Sequence, residues 1–344
     1  MKKNQHILVI RLSALGDVAM TVPVIRAFLL QHPSVKITIL SKSFLKPLFS
    51  NIENVTFYTA DVKGKHKGFI GIYKLFKELK VLNFTAVADL HSVLRSIILR
   101  TFFKIFFIKT AYINKGRTGK KALTRTKNKV FKQLKTSHER YADVFRKLGY
   151  PLNLKKPIFP AIQELTSEII AITEVKKQPW IGIAPFAQYN SKMYPLSQMK
   201  KVIERLSKNS SYKILLFGGG KKEVELLNEI ALSYKNTINI AGKLSLEKEL
   251  ALISNLDVML SMDSGNAHFA AMLGVKTITL WGVTHPFAGF APFNQPLTNC
   301  ILPDLKKYPN IPCSIYGNKV CEGYENIMES IPPKKVVAKI KEIV

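Results

Sequence analysis

The chain has 344 residues, with 52 Lys and Arg against 23 Asp and Glu, a formal net charge of +29. Its 47% hydrophobic and 22% charged residues are globular proportions that exclude a disordered or collagen-like chain. The length is about twice that of a common domain, so two domains are expected, each able to bury its own core.

The start places Lys2 and Lys3 before an apolar run, as a signal peptide would. Arg11 and Asp17 interrupt the run and no cleavage site follows, so a cytoplasmic protein is expected. Residues 6–11 read as a strand, Ser13-Ala14-Leu15-Gly16-Asp17 as a turn, and a helical pattern runs from about Val18 to His32. Gly16 suits the tight turn. Asp17 is either a helix N-cap or a carboxylate on the rim of an interdomain cleft. G-x-G-x-x-G is absent here.

Further strands are expected at 35–40 and 84–90. From Leu90 to His138 there is no acidic residue, but there are 13 basic ones, including Arg95, Lys120, Lys121, Lys127 and Lys129. A solvated face normally mixes signs, so this segment is a candidate for meeting nucleic acid, an anionic membrane or a phosphorylated substrate. Phe102, Phe103, Phe106 and Phe107 lie within it; they read as core, the inner face of a helix and a buried strand after it.

A Pro- and Lys-containing stretch at 151–179 separates this half from a second series of strands, at 180–185, 212–217, 237–242, 256–263 and 276–282. Strands alternating with helices imply βαβ units, parallel sheets and two doubly wound domains, with ligands beyond the carboxyl ends of the strands. Polar loops collect there. After 180–185 comes Pro185-Phe186-Ala187-Gln188-Tyr189-Asn190-Ser191-Lys192, where Lys192 is either solvated or placed to neutralise a leaving diphosphate. Gly218-Gly219-Gly220 opens a helix containing Glu223, but fits neither the dinucleotide fingerprint nor the P-loop. Asp263-Ser264-Gly265-Asn266-Ala267-His268 joins a strand to a helix N-terminus, offering free amides and a hydroxyl to a diphosphate. Asp263 would be repelled by phosphate and is expected to bind a sugar hydroxyl or cap the turn.

Residues 277–303 lack charge, but Pro286, Pro292 and Pro296 break any spanning helix. Cys300, Cys313 and Cys321 follow no strong zinc spacing and are read as structural thiols in a reducing compartment. Residues 331–344 read as a final amphipathic helix with Pro332 and Pro333 at its start. No D-x-D, H-E-x-x-H or G-x-S-x-G is present, so nothing visible requires a divalent metal.

In this order, ILVIRLSALGDVAMTVPVIRAF, ADLHSVLRS, IGIAPFAQYNSKMYP, LLFGGGKKEVELLNEIA and LSMDSGNAHFAAMLGVKTITLWGVTHP resemble glycosyltransferase family 9, the ADP-heptose:lipopolysaccharide heptosyltransferases. The resemblance implies a GT-B fold: two Rossmann-like α/β domains facing a cleft, with the last helix crossing back. The expected division is 1–170 with 331–344 on the acceptor side, and 171–330 on the donor side. By position, Asp17 resembles the catalytic carboxylate and Lys192 the lysine on the donor phosphates. Asp263, Ser264, Gly265 and His268 resemble the donor loop. Gly219 and Glu223 (with Glu225 as the alternative) match the region reaching adenosine, and Leu244 the base pocket. Ser13, Gly16, His91, Arg95, Lys120 and Lys121 fall on the acceptor side. Two departures, Ala187-Gln188 for a hydroxyl pair and Tyr194 for a Trp, bear on the donor.

The implied reaction is inverting, metal-free transfer of heptose from ADP-heptose to a phosphorylated lipid A–core acceptor, without a cofactor, at the inner face of the cytoplasmic membrane. Another nucleotide sugar, or an acceptor outside lipopolysaccharide, is the alternative. A nucleic-acid-binding protein would explain the charge but not the Asp263–His268 loop.

Overall fold

The computed structural model describes residues 5–208 and 211–344, so Lys2 and Lys3 of the leader-like start lie outside the described residues. The chain divides into two units. The first takes the chain up to Lys115 and again Ser137–Phe159; the second takes Gly116–Thr136 and Pro160–Val344.

In the first unit, β1 (Gln5–Ile10) leads through α1 (Leu15–Ala19) and α2 (Val22–Gln31) to β2 (Val35–Ser41) and β3 (Val55–Thr59). Then come α3 (Gly68–Lys80), β4 (Ala86–Asp89), α4 (Leu94–Ile105) and β5 (Lys109–Tyr112). The chain next forms α5 (Arg117–Thr124), which belongs to the second unit, and returns as α6 (Ser137–Lys147). The five strands are all parallel, in the order β3-β2-β1-β4-β5. Their β-branched runs are buried because helices cover such sheets. Leu8, Ile10, Val87, Leu75, Phe76, Leu99 and Phe103 share one core.

In the second unit, α7 (Ser167–Thr173) precedes β6 (Trp180–Ala184), α8 (Leu196–Ser207), β7 (Lys213–Leu216) and α9 (Lys221–Leu232). There follow β8 (Thr237–Asn239), α10 (Leu246–Ser254), β9 (Val258–Met262), α11 (Gly265–Met272) and β10 (Lys276–Leu280). The two-residue β11 (Cys300–Ile301) and α12 (Pro333–Ile343) complete it. The sheet is again parallel, in the order β11-β10-β9-β6-β7-β8.

Three expectations need correction. The final helix, expected to cross back to the first domain, joins the second: α12 packs on α8, β9 and β10, and its Val336, Val337 and Ile340 enter that unit's core. The boundary falls at Phe159 and Pro160 rather than at 170, and residues 116–136 leave the first unit altogether. Cys313 and Cys321 form a disulfide, with Cα atoms 6.0 Å apart, and only Cys300 is a buried free thiol. The departure at Tyr194 also has a use: its hydroxyl donates to the Ile331 carbonyl at 2.6 Å, tying the loop after β6 to the approach to α12.

Candidate active site

In each sheet the strand order reverses once, between β1 and β4 in the first and between β6 and β9 in the second. Neighbouring strands there send their crossovers to opposite faces, leaving a crevice beyond their carboxyl ends. Of the sequence-predicted site residues, Ser13, Gly16, Asp17 and His91 follow β1 and β4 at the first point, and Lys192 and Asp263–His268 follow β6 and β9 at the second.

In the second unit, β6 runs into the turn Asn190–Lys192, and β9 into Asp263. Because β6 and β9 are neighbours, two residues distant in sequence meet: Lys192 Nζ lies 2.9 Å from Asp263 Oδ2. Thr284, beyond β10, donates to the same carboxylate oxygen at 3.0 Å. Both charged side chains are largely buried, at 14% and 8% exposure, so each fixes the other. Asp263 is therefore an ion-pair partner, not the cap of a turn. Ser264 takes the N-cap position of α11 with extended backbone, but its hydroxyl pairs with Ser261 at 3.0 Å and leaves the first amides of α11 without a side-chain cap. Gly265 opens the helix, and His268 is buried in its first turn.

Two glycines make this arrangement possible. A Cβ on Gly317 would lie 2.4 Å from Lys192 Cδ, and one on Gly282 would lie 2.4 Å from the Ser191 carbonyl oxygen. The lysine stem thus rests on backbone, aimed at Asp263. Reading the sequence did not single out Thr284 or these glycines. The polar Thr284 just after a strand was a usable signal, whereas the glycines carried none.

Beyond β6 and β7 lies a cavity of about 430 Å³, lined by Phe186, Ala187, Asn190, Tyr194, Lys222 and Glu223 among others. Glu223 Oε2 accepts from the Gly219 amide at 2.8 Å, so that amide is occupied by the protein's own carboxylate. Leu244 is half-buried in the turn before α10, outside this lining.

In the first unit, Arg11 leaves β1 buried, donating to the Leu90 carbonyl at 2.8 Å and forming an ion pair with Asp17. Its guanidinium lies 5.8 Å from the Tyr141 ring centroid, and the Tyr141 hydroxyl donates to the Asp17 carbonyl at 3.4 Å. The N-cap of α1 is Ala14, so Asp17 stands in the first turn and is no cap, its carboxylate ion-paired with the buried Arg11. Arg11 was missed as a site residue, though a charge ending an apolar strand is a legible signal. The loop after β4 is organised by fully buried Asp89, which accepts from the amides of His91 (2.9 Å) and Ser92 (2.7 Å) and from Arg100 (2.9 Å). This sets His91 Nε2 3.5 Å from Ser13 Oγ. Burial, then the charges of Arg11 and Lys115, push the His91 ring down to about 3, so it is neutral at physiological pH. Gly16 is half-buried beside Asp17, and Arg95 is exposed in the first turn of α4.

The basic segment does not stay together. Lys120 and Lys121, both expected on the acceptor side, fall in the second unit: Lys121 is exposed, and Lys120 is buried with its ammonium 4.1 Å from the Phe290 ring centroid. Lys129 donates to the carbonyls of Asn310 (2.6 Å) and Pro312 (3.0 Å), and burial lowers it to about 8. Arg100, Lys109 and Lys115 likewise make internal bonds, so the charge run is no continuous polyanion-binding face. The core reading of the four aromatics holds for Phe103 and partly for Phe102. Phe106 and Phe107 are exposed.

Two buried histidines make stability pH-dependent. His285 is lowered to about 4 by burial and by Lys129, as His91 is lowered to about 3. The unfolded chain binds protons near pH ~6.5 that the folded chain refuses, so stability is full above that pH and falls as pH drops toward the folded values. By pH ~5 the loss approaches about 2 kcal/mol per histidine at the linkage limit. A thermal melt series from neutral to mildly acid pH should show this, with His91→Gln flattening the slope; equal slopes would contradict it.

Among the described residues, no three His, Cys, Asp or Glu side chains converge to hold a metal, and no helix is long and apolar enough to cross a membrane. Residues 72–315 match the model of "Glycosyltransferase family 9 (heptosyltransferase)". The lipopolysaccharide core heptosyltransferase OpsX of Haemophilus influenzae is 26% identical over 83% of this chain and 81% of its own length. Among solved structures, a family 9 glycosyltransferase of Veillonella parvula superposes with a TM-score of 0.76 at 19% identity, covering 100% of this chain and 98% of that one. The E. coli heptosyltransferase WaaC with ADP gives 0.70 at 17% identity, over 99% of this chain and 100% of that one. These similarities give the two parallel-sheet units the GT-B fold.

Proposed function

This chain belongs to glycosyltransferase family 9, and on that premise we propose that it moves a heptose from ADP-heptose onto a sugar hydroxyl of the lipopolysaccharide inner core. The observation that carries the reading is the Lys192–Asp263–Thr284 cluster at the sheet's switch point, beside the uncapped amides of α11. It offers a fixed cation and oriented amides to a diphosphate, supplying from protein charge what a metal ion would supply elsewhere.

The acceptor hydroxyl oxygen forms a bond to the anomeric carbon as the bond from that carbon to the diphosphate oxygen breaks. ADP leaves with the electron pair. The hydroxyl proton passes to Asp17. One direct displacement of this kind inverts the anomeric centre. Lys192 and the α11 amides meet the charge that develops on the departing ADP. Neutral His91 and Ser13 fit hydroxyl groups of the acceptor better than its phosphates. The acceptor's lipid places the enzyme at the inner face of the cytoplasmic membrane as a peripheral protein.

A donor screen tests this: ADP-, UDP- and GDP-sugars offered with core acceptor in EDTA, products read by mass spectrometry. Heptose transfer from the ADP sugar alone is the expected result. Ala187, which lines the cavity where a hydroxyl pair was expected, favours a second reading with another sugar on the nucleotide. Transfer from a different donor would establish that reading, and a requirement for divalent metal would refute the metal-free mechanism.

A further inference from the structure

Helix α4 is apolar on two opposite sides. Its Leu99 and Phe103 enter the first unit's core, yet Leu94 (74% exposed), Ile97 (37%) and Ile105 (61%) recur at helical spacing on the outside. A surface helix in water keeps one apolar stripe, and a second one marks a surface that is covered in use. On neighbouring α3, Ile72, Leu75, Phe76 and Leu79 are buried, while Phe69 (63% exposed) and Ile70 (83%) in its first turn are exposed. The two outer sides are continuous, since Phe102 of α4 lies 5.8 Å from Phe69 and 5.5 Å from Tyr73, centroid to centroid.

At the end of α4, Phe107 has φ of 61° and 97% exposure. A helix usually places glycine in this left-handed position, where a bulky side chain is disfavoured. Folding gains nothing from a phenylalanine there.

The charge around these side chains has one sign. Lys74, Lys77, Lys80 and Lys104 are exposed on α3 and α4. Lys80 Nζ sits 3.6 Å from the Phe106 ring centroid and Lys77 Nζ 5.0 Å from that of Tyr73. The only acid on these helices, Glu78, is bonded to Lys65, His66 and Tyr58. Protein interfaces are depleted in lysine at their centres, whereas aromatic side chains interleaved with lysine stems suit the headgroup region of an anionic bilayer.

We propose that the outer face of α3 and α4, extended by Phe106 and Phe107, is the surface by which this protein docks on an anionic phospholipid bilayer. The proposal rests on the reading of the acceptor as a lipid-anchored glycan. Of the acid-free Leu90–His138 segment it keeps α4 with Lys104, Phe106 and Phe107, and it leaves out residues 116–136, which belong to the second unit. The face begins at Leu94, three residues after His91, so the bilayer would hold acceptor lipid beside the first unit's polar cluster.

The test is co-sedimentation of the full chain with phosphatidylcholine vesicles, with and without phosphatidylglycerol. Wild type should partition onto the phosphatidylglycerol vesicles, and Ile70→Asp with Phe107→Asp should weaken partition at least tenfold at unchanged melting temperature. If that variant misfolds, Lys74→Gln with Lys77→Gln and Lys104→Gln decides, with a loss of roughly fivefold for each lysine at the surface. Lys121→Glu with Lys127→Glu, on the second unit, should bind like wild type. Wild-type protein that ignores the vesicles, or an aspartate variant that binds them equally, overturns the proposal. A wild-type dimer that the aspartates make monomeric, without vesicle binding, assigns the face to a second copy instead. Transfer to a deacylated, water-soluble acceptor should be the same in wild type and variant. If no sugar is transferred from any donor but vesicle binding still depends on this face, the proposed function fails and the docking surface stands.

Discussion

Asp17→Asn is expected to lower kcat by about a hundredfold or more while ADP affinity stays nearly unchanged. The substitution keeps size and shape, and the amide oxygen can still accept from Arg11, whose guanidinium already bonds the Leu90 carbonyl. What it removes is the ability to take a proton. Tyr141 bonds the backbone carbonyl of residue 17, not the side chain, so the turn should hold its conformation. The readout that separates chemistry from structure is kcat against KM, beside ADP titration and a thermal melt. Near-normal turnover in a folded variant would reduce Asp17 to a partner for Arg11.

Lys192→Ala is expected to weaken ADP binding about a hundredfold and to lower kcat by a similar or larger factor, in EDTA as without it. The geometry makes the loss twofold in origin. The cation proposed to meet the diphosphate disappears, and Asp263 is left as a largely buried carboxylate with Thr284 as its remaining side-chain partner among the described residues. An uncompensated buried charge is costly and would also repel phosphate. Adding Asp263→Asn to Lys192→Ala should therefore restore part of the ADP affinity, a non-additivity that independent residues would not show. Lys192→Arg should not substitute, because the stem lies against Gly317, where even a Cβ would collide. Calorimetry with ADP reads all three variants. Unchanged affinity in Lys192→Ala would remove the second-unit cluster from the donor site.

Much of this was legible because it is local. The β-branched runs at β1, β2, β6, β7, β9 and β10 fall where alternation and turn residues put them, since a buried parallel strand needs nothing beyond its own apolar sequence. The short strands β3 and β11 were not legible: with five and two residues, they form only because a neighbouring strand presents a ladder to them, and the strand expected after α4 falls at β5, just beyond Phe106 and Phe107. The Asp263–His268 loop was visible as a strand-to-helix turn, because its strand, turn and helix start are contiguous.

What the loop's side chains do was decided by strand order. Lys192 and Asp263 meet because β6 lies beside β9, a pairing that periodicity cannot encode, so Asp263 was expected on a sugar hydroxyl or as a turn cap and its ion pair went unseen. Allocation of chain to unit was equally non-local. Lys120 and Lys129 looked like surface charge until aromatic rings and free carbonyls of the second unit surrounded them. The final helix was amphipathic on inspection, but only the apolar side offered by α8, β9 and β10 determined where it packs. The sequence by itself determined the family, the two parallel sheets and most of the polar residues at their switch points. Tertiary structure alone decided which charges neutralise each other and which aromatics remain outside. Both are settled by contacts between residues far apart in the chain, and no local pattern specifies them.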